Sequence, residues 1–116
     1  MSAHATAGAS AQCPGTTGTN TNVTLRSSHQ YSIINDGDND VTITIVARLS
    51  DSRGNQNSET RNNVVVPAKG SESNSLQVFL TAAYSPSGTI HVTASTIITG
   101  GASASSQGNC SFQVVG

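Results

Sequence analysis

Apolar and polar residues alternate along much of this chain with the period of an extended strand. The longest run is Val41-Thr-Ile-Thr-Ile-Val-Ala-Arg-Leu49. Val41, Ile43, Ile45, Ala47 and Leu49 share one face, and Thr42, Thr44, Val46 and Arg48 share the other. Successive side chains of a strand point to opposite sides, so the run predicts a half-buried strand. Shorter runs repeat the pattern. Thr21–Arg26 groups Val23 with Leu25, and His29–Asn35 turns Tyr31 and Ile33 inward with Ile34 outward. Glu59–Val66 ends in three valines stopped by Pro67, and Leu76, Val78 and Leu80 alternate in a run that reaches Ala83. Thr89–Thr99 carries Ile90, Val92 and Ala94, and Cys110–Val115 carries Phe112 and Val114.

Turn-forming clusters separate these runs. Asn35–Asp40 reads as a hairpin connection, because Asp36-Gly37 supplies the positive φ that tight turns need. Ser50–Ser58, Ala68–Ser73 and Ser85–Gly88 are further turns, and Gly100–Asn109 (GGASASSQGN) has the composition of a flexible connection. No segment has the helical period. Seven short one-sided strands bury their apolar faces by packing as two antiparallel sheets, so the chain predicts an all-β sandwich.

The first eleven residues are set apart by composition. Ser2–Ala11 is almost wholly Ala, Ser, Thr and Gly, with small-x-small steps at Ala3-His4-Ala5 and Ala9-Ser10-Ala11 of the kind cut by signal peptidase. The expectation is a loose tail over 1–11 and a single sandwich domain over 12–116. The 116 residues suit one hydrophobic core, yet only 9% are charged and 34% hydrophobic, with Ser, Thr and Asn making up the difference. Net charge is −1, and the five basic residues Arg26, Arg48, Arg53, Arg61 and Lys69 stand singly, which argues against a nucleic-acid partner. No apolar stretch is long enough to span a bilayer, so membrane insertion is not expected.

Two cysteines change the picture. Cys13 precedes the first predicted strand and Cys110 opens the last, so one bridge would tie the two ends of the domain and lock a terminal edge rather than the centre of the core. Such a bridge persists only in an oxidising compartment, which points to a secreted, cell-surface or periplasmic protein. No Cys-x-x-Cys spacing suggests redox exchange.

Two stretches carry a family resemblance. Tyr31-Ser-Ile-Ile-Asn-Asp-Gly-Asp-Asn-Asp-Val-Thr-Ile-Thr-Ile45 resembles the strand, Asn-x-Gly turn and alternating strand of bacterial immunoglobulin-like domains in surface and secreted proteins. Tyr84-Ser-Pro-Ser-Gly-Thr-Ile-His-Val-Thr-Ala94 resembles their Gly-x-aromatic-x-Val-x-Ala strand, with Ile90 at the aromatic position. The chain departs from antibody-type domains in having no Trp and in placing its cysteines at the ends. The resemblance implies an immunoglobulin-like fold and a spacer, adhesive or assembly role.

Candidate chemistry is sparse. Asp36, Asp38 and Asp40 alternate as calcium ligands do, but a loop of EF-hand type begun at Asp36 would need Gly and Glu where Val41 and Ala47 stand. This leaves a solvated turn or an irregular calcium site. With Met1 removed, Ser2-Ala3-His4 would offer an amine, two amides and an imidazole, a square-planar set for copper or nickel. His4, His29 and His91 lie in unrelated contexts, with His91 outward. Serines are many, but no Gly-x-Ser-x-Gly elbow occurs, and six carboxylates with no Trp make a poor glycoside site. The expectation is no catalytic residue and no cofactor. The leading reading is a non-enzymatic secreted or surface-exposed structural or interaction module of adhesion type, with a protein or extracellular partner or self-association. The alternatives are a subunit of an extracellular filament assembled by strand exchange, and a small copper- or calcium-binding domain using His4 or the Asp36–Asp40 turn.

Overall fold

Period-two burial organises most of the long strands. The computed structural model describes residues 3–116 and contains eight strands: β1 Ala3–Gln12, β2 Thr16–Gly18, β3 Asn22–Asn35, β4 Val41–Asp51, β5 Gln56–Val66, β6 Ser71–Ala83, β7 Gly88–Gly100 and β8 Ala104–Val115. They form a three-stranded sheet of order β1-β3-β6 and a five-stranded sheet of order β2-β8-β7-β4-β5. All pairings are antiparallel except the short β2–β8 pair. The chain moves from the small sheet at β1 to the large one at β2, and β2–β3, β3–β4, β5–β6 and β6–β7 also cross between sheets. Only β4–β5 and β7–β8 join neighbours. Crossing connections of this kind are the Greek-key signature of an immunoglobulin-like sandwich.

The core lies between the sheets and is built from the alternating sets. Ile43, Ile45, Ala47 and Leu49 of β4 are fully buried, as are Ile90, Val92, Ala94 and Ile98 of β7, against Leu25 and Ile33 of β3 and Val78 of β6. Phe112 meets Tyr84 edge-on at a ring separation of 5.3 Å.

Four local expectations are corrected. The segment expected to be loose is β1 from Ala3 onward, paired with β3 from Ala3↔Asn35 to Gln12↔Arg26, while Met1 and Ser2 lie outside the described residues. Ala3, Ala5, Ala7, Ala9 and Ala11 form its half-buried inner face. The two strands expected over 21–26 and 29–35 are one continuous strand, Asn22–Asn35, because Ser27 and His29 also point inward and satisfy each other. Asn35–Asp40 is a crossover between sheets rather than a hairpin. The Asn35 amide donates to the Asn39, Val66 and Pro67 carbonyls at 2.9, 3.1 and 3.2 Å and accepts from the Gly37 N–H at 3.0 Å, which fixes the exit of β3. Finally, Gly100–Asn109 is mostly strand, since β8 pairs with β7 from Ala104↔Ile98, leaving Cys110 in mid-strand.

Strands of ten to fourteen residues make a rod of 59 × 18 × 17 Å. Its radius of gyration is 16.9 Å, against about 13 Å for a compact 100-residue domain. The registers identify the two poles. Ala3, Asn35 and Ser71 share one pole through the pairings of β1 and β6 with β3, and the Asn35–Val66 hydrogen bond adds the paired ends of β4 and β5. Asn22 and Ala83 mark the other, where the Asn20 N–H donates to the Tyr84 carbonyl and Gly116 lies beside Thr19 and Ser87. The chain thus enters at one pole and leaves at the opposite one.

Candidate functional site

The bridge forms as expected. Cys13 follows β1 and Cys110 lies in β8, with Cα atoms 6.0 Å apart across 97 residues of sequence. Since β1 belongs to the small sheet and β8 to the large one, the bridge joins the sheets along the side where β1 is the edge strand.

The acidic turn does not gather its carboxylates. Asp36 faces His4 at 3.5 Å, Asp38 faces Lys69 at 3.3 Å, and Asp40 accepts the Ala68 N–H at 3.0 Å. Lys69 also donates to the Asp36 carbonyl at 2.8 Å. Among the described residues, no three His, Cys, Asp or Glu side chains converge as metal ligands would. The amine of the copper set belongs to Ser2, outside the described residues. The three histidines are dispersed: His4 at the entry pole, His29 in the core and His91 exposed on β7.

Two polar clusters went unforeseen. In the first, His29 is completely buried. Thr96 of β7 donates its hydroxyl to the Gly8 carbonyl of β1 at 2.8 Å, so its oxygen is free to accept from His29 Nδ1 at 2.9 Å. His29 Nε2 then accepts from the Ser27 hydroxyl at 2.7 Å. Burial pushes the imidazole pKa below its ordinary value, opposed by a backbone hydrogen bond at Ser95, so the neutral tautomer fits this chain of bonds.

In the second, Asp51 ends β4 at the exit pole. Burial alone would raise its pKa, but four donors outweigh it and hold the carboxyl below its ordinary value. The Asn55 side chain at 2.9 Å and the Tyr84 hydroxyl at 2.7 Å bond one oxygen, and the Asn55 and Arg53 N–H groups at 3.0 and 2.8 Å bond the other. Arg53 donates onward to the Ser85 and Pro86 carbonyls. Burial first, then Asp51, pushes the Tyr84 phenol far above its ordinary range. The cluster is a clamp that welds the β4–β5 turn to the β6–β7 corner. Tyrosines at this corner of immunoglobulin-like sandwiches bond backbone upstream, whereas Tyr84 bonds a carboxylate. Sequence periodicity carries no trace of either cluster, whose partners lie 67 and 33 residues apart.

The broad faces are Ser, Thr, Asn and Gln surfaces. Among outward positions of β3, β4, β6 and β7, only Arg26 and Arg48 carry formal charge. Hydroxyls pair directly across strands, Thr24 with Thr81 at 2.9 Å and Ser73 with Ser32 at 3.0 Å. Among the described residues, no helix is long and apolar enough to cross a membrane.

No family model matches the chain, and no curated protein matches it. Among solved structures it is similar to a CARDB domain from Pyrococcus furiosus in complex with di-metal ions, at 15% identity over 96% of this chain and 87% of that one, with a TM-score of 0.44. It is similar also to an alkylpurine DNA glycosylase of Pseudomonas fluorescens bound to DNA containing an abasic site analogue, at 9% identity over 99% of this chain and 30% of that one, TM-score 0.41. A glycoside hydrolase family 2 β-glucuronidase matches at 13% identity over 72% of this chain and 9% of that one, TM-score 0.41. The chain's own strand order defines the class: an all-β, immunoglobulin-like sandwich with one disulfide between its sheets.

Proposed function

We propose that this chain is a non-catalytic structural module of a secreted or cell-surface protein, a rigid spacer that sets the distance between the segments attached at its two poles. The carrying observation is the entry of the chain at one pole and its exit at the other, along a 59 Å axis. The inter-sheet bridge supports an oxidising compartment. Faces with little charge suit a module that neither attracts polyions nor repels its neighbours, and they leave adhesion or protein binding to the poles.

Small-angle scattering from two copies fused in tandem tests the reading. The expected maximum dimension is roughly twice the 59 Å of one rod; a folded-back pair overturns the spacer. Turnover on ester, glycoside or peptide substrates that disappears on replacing His29 or His91 overturns the non-catalytic part. The filament alternative requires a free arm at residues 1–11, but residues 3–11 are seated in the chain's own sheet. The metal alternative would need Asp36, Asp38 and Asp40 to exchange their present partners for one ion.

A further inference from the structure

We propose that β1 is a releasable strand, latched to the sandwich through Thr96 and His29, and that protonation of His29 opens the latch. As the edge of the small sheet, β1 pairs with β3 alone, so its departure breaks no other pairing. Its inner face offers only alanines, so each residue contributes little apolar burial. The Thr96 hydroxyl on the Gly8 carbonyl is the side-chain bond that fastens it to β7, and that same hydroxyl oxygen receives His29.

His29 is where a proton does most harm. An imidazolium there would be a buried charge, and it must be hydrated or refused. Among the described residues its immediate partners carry no charge: the Ser27 and Thr96 hydroxyls and the Ser95 backbone are all neutral. The titratable and charged groups on the elements packed around it have other places: His4 of β1 at Asp36, Arg26 of β3 at Gln12, Tyr31 of β3 at Arg61 of β5, Glu72 of β6 near the entry pole across from Ile33, Arg48 exposed on β4, Asp51 in the exit-pole clamp, and His91 on the outside of β7. Cys110 of β8 is bridged. The cover over His29 is uneven. Across the small sheet it has Leu76 on the β6 side but only half-buried Ala9 on the β1 side. Water therefore reaches the charged ring most cheaply by displacing β1, while the bridge at Cys13 keeps the freed strand tethered.

Native-state hydrogen exchange across pH 7.5 to 4.5 is the test. Protection factors of the β1 amides bonded to β3 should fall by up to about tenfold per pH unit below 6.5, the limit for linkage to one proton. They should stay below those of β4 and β7 amides at every pH and change little with low urea, as local opening requires. His29→Gln should make β1 protection independent of pH over this range. Thr96→Val, nearly isosteric, should lower β1 protection at pH 7.5 while leaving β4 and β7 protected, which covers the case in which the glutamine variant does not fold. Flat β1 protection across the titration overturns the proposal. So does β1 opening only in step with β4 and β7, or a pH dependence that survives in His29→Gln.

Discussion

At the scale of single residues, two titratable groups set the acid limit of this sandwich for opposite reasons. Burial lowers the His29 pKa below 6.5, so beneath that pH the unfolded chain takes up a proton that the folded one resists, and stability falls as pH drops. Hydrogen bonds lower the Asp51 pKa below 3.8; its contribution is complete above that value and is lost as pH falls through the folded pKa. Denaturant midpoints should therefore decline in two stages from neutral pH, the first absent in His29→Gln and the second absent in Asp51→Asn. Glycines separate in the same way. A Cβ at Gly108 would stand 3.0 Å from the Ser10 Cα and closer still to the Ala9 carbonyl, both backbone atoms of β1. At Gly8 it would meet only the end of the Gln30 side chain, which can swing aside. Gly108→Ala should cost about 1–3 kcal/mol, the usual penalty of overpacking, and Gly8→Ala should be near neutral; thermal unfolding of the pair compares them.

Among the strands, the open side of the sandwich is guarded by asparagines. The Asn57 amide donates to the Phe79 carbonyl of edge strand β6 at 2.7 Å and accepts its neighbour's N–H, from Ser58, at 2.9 Å. Asn74 accepts the Ser75 N–H at 2.8 Å. On β5, Asn63 at φ 58° accompanies a break in register, and Glu59 and Arg61 add charge. Unpaired edge groups recruit other strands, and these devices occupy or disrupt them. Replacing Asn57 and Asn74 together with alanine should strengthen concentration-dependent association in sedimentation relative to the parent chain. The strands legible in the sequence are those whose inner positions hold large apolar side chains. β4 and β7 announce themselves through Ile43, Ile45, Leu49, Ile90 and Val92. β1 and the first half of β8 do not, because the alanines of β1 pack beside Ala104, Ser106 and Gly108, small against small. Their signal is a period of size, alanine at every second position from 3 to 11, rather than of hydropathy. β3 reads as two strands because Ser27 and His29 interrupt its apolar face. An Asp-Gly turn reports a change of direction, and only contacts distant in sequence decide that the next strand joins the other sheet. The bridge is legible because two cysteines leave one pairing, whereas the His29 and Asp51 clusters assemble only in three dimensions.

For the molecule as a whole, the bridge closes a loop of 97 residues. In the chain-entropy account this stabilises by up to ~4–5 kcal/mol. Replacing both cysteines with serine should lower the unfolding free energy by several kcal/mol within that bound while the far-ultraviolet dichroism keeps its β form. The same bond also decides how the rod bears load. A pull on its two ends enters along β1, crosses from Cys13 to Cys110 and leaves through the last residues of β8, so about eighteen residues carry the tension and the rest of the sandwich hangs beside the line of force. At 3.3–3.6 Å per residue that path is roughly 60 Å long when taut, close to the 59 Å the rod already spans. Reduced, the chain could lengthen to roughly 400 Å by the same measure. Single-molecule stretching should find an oxidised domain that barely yields and a reduced one that unravels: a tether whose reach is fixed by one covalent bond.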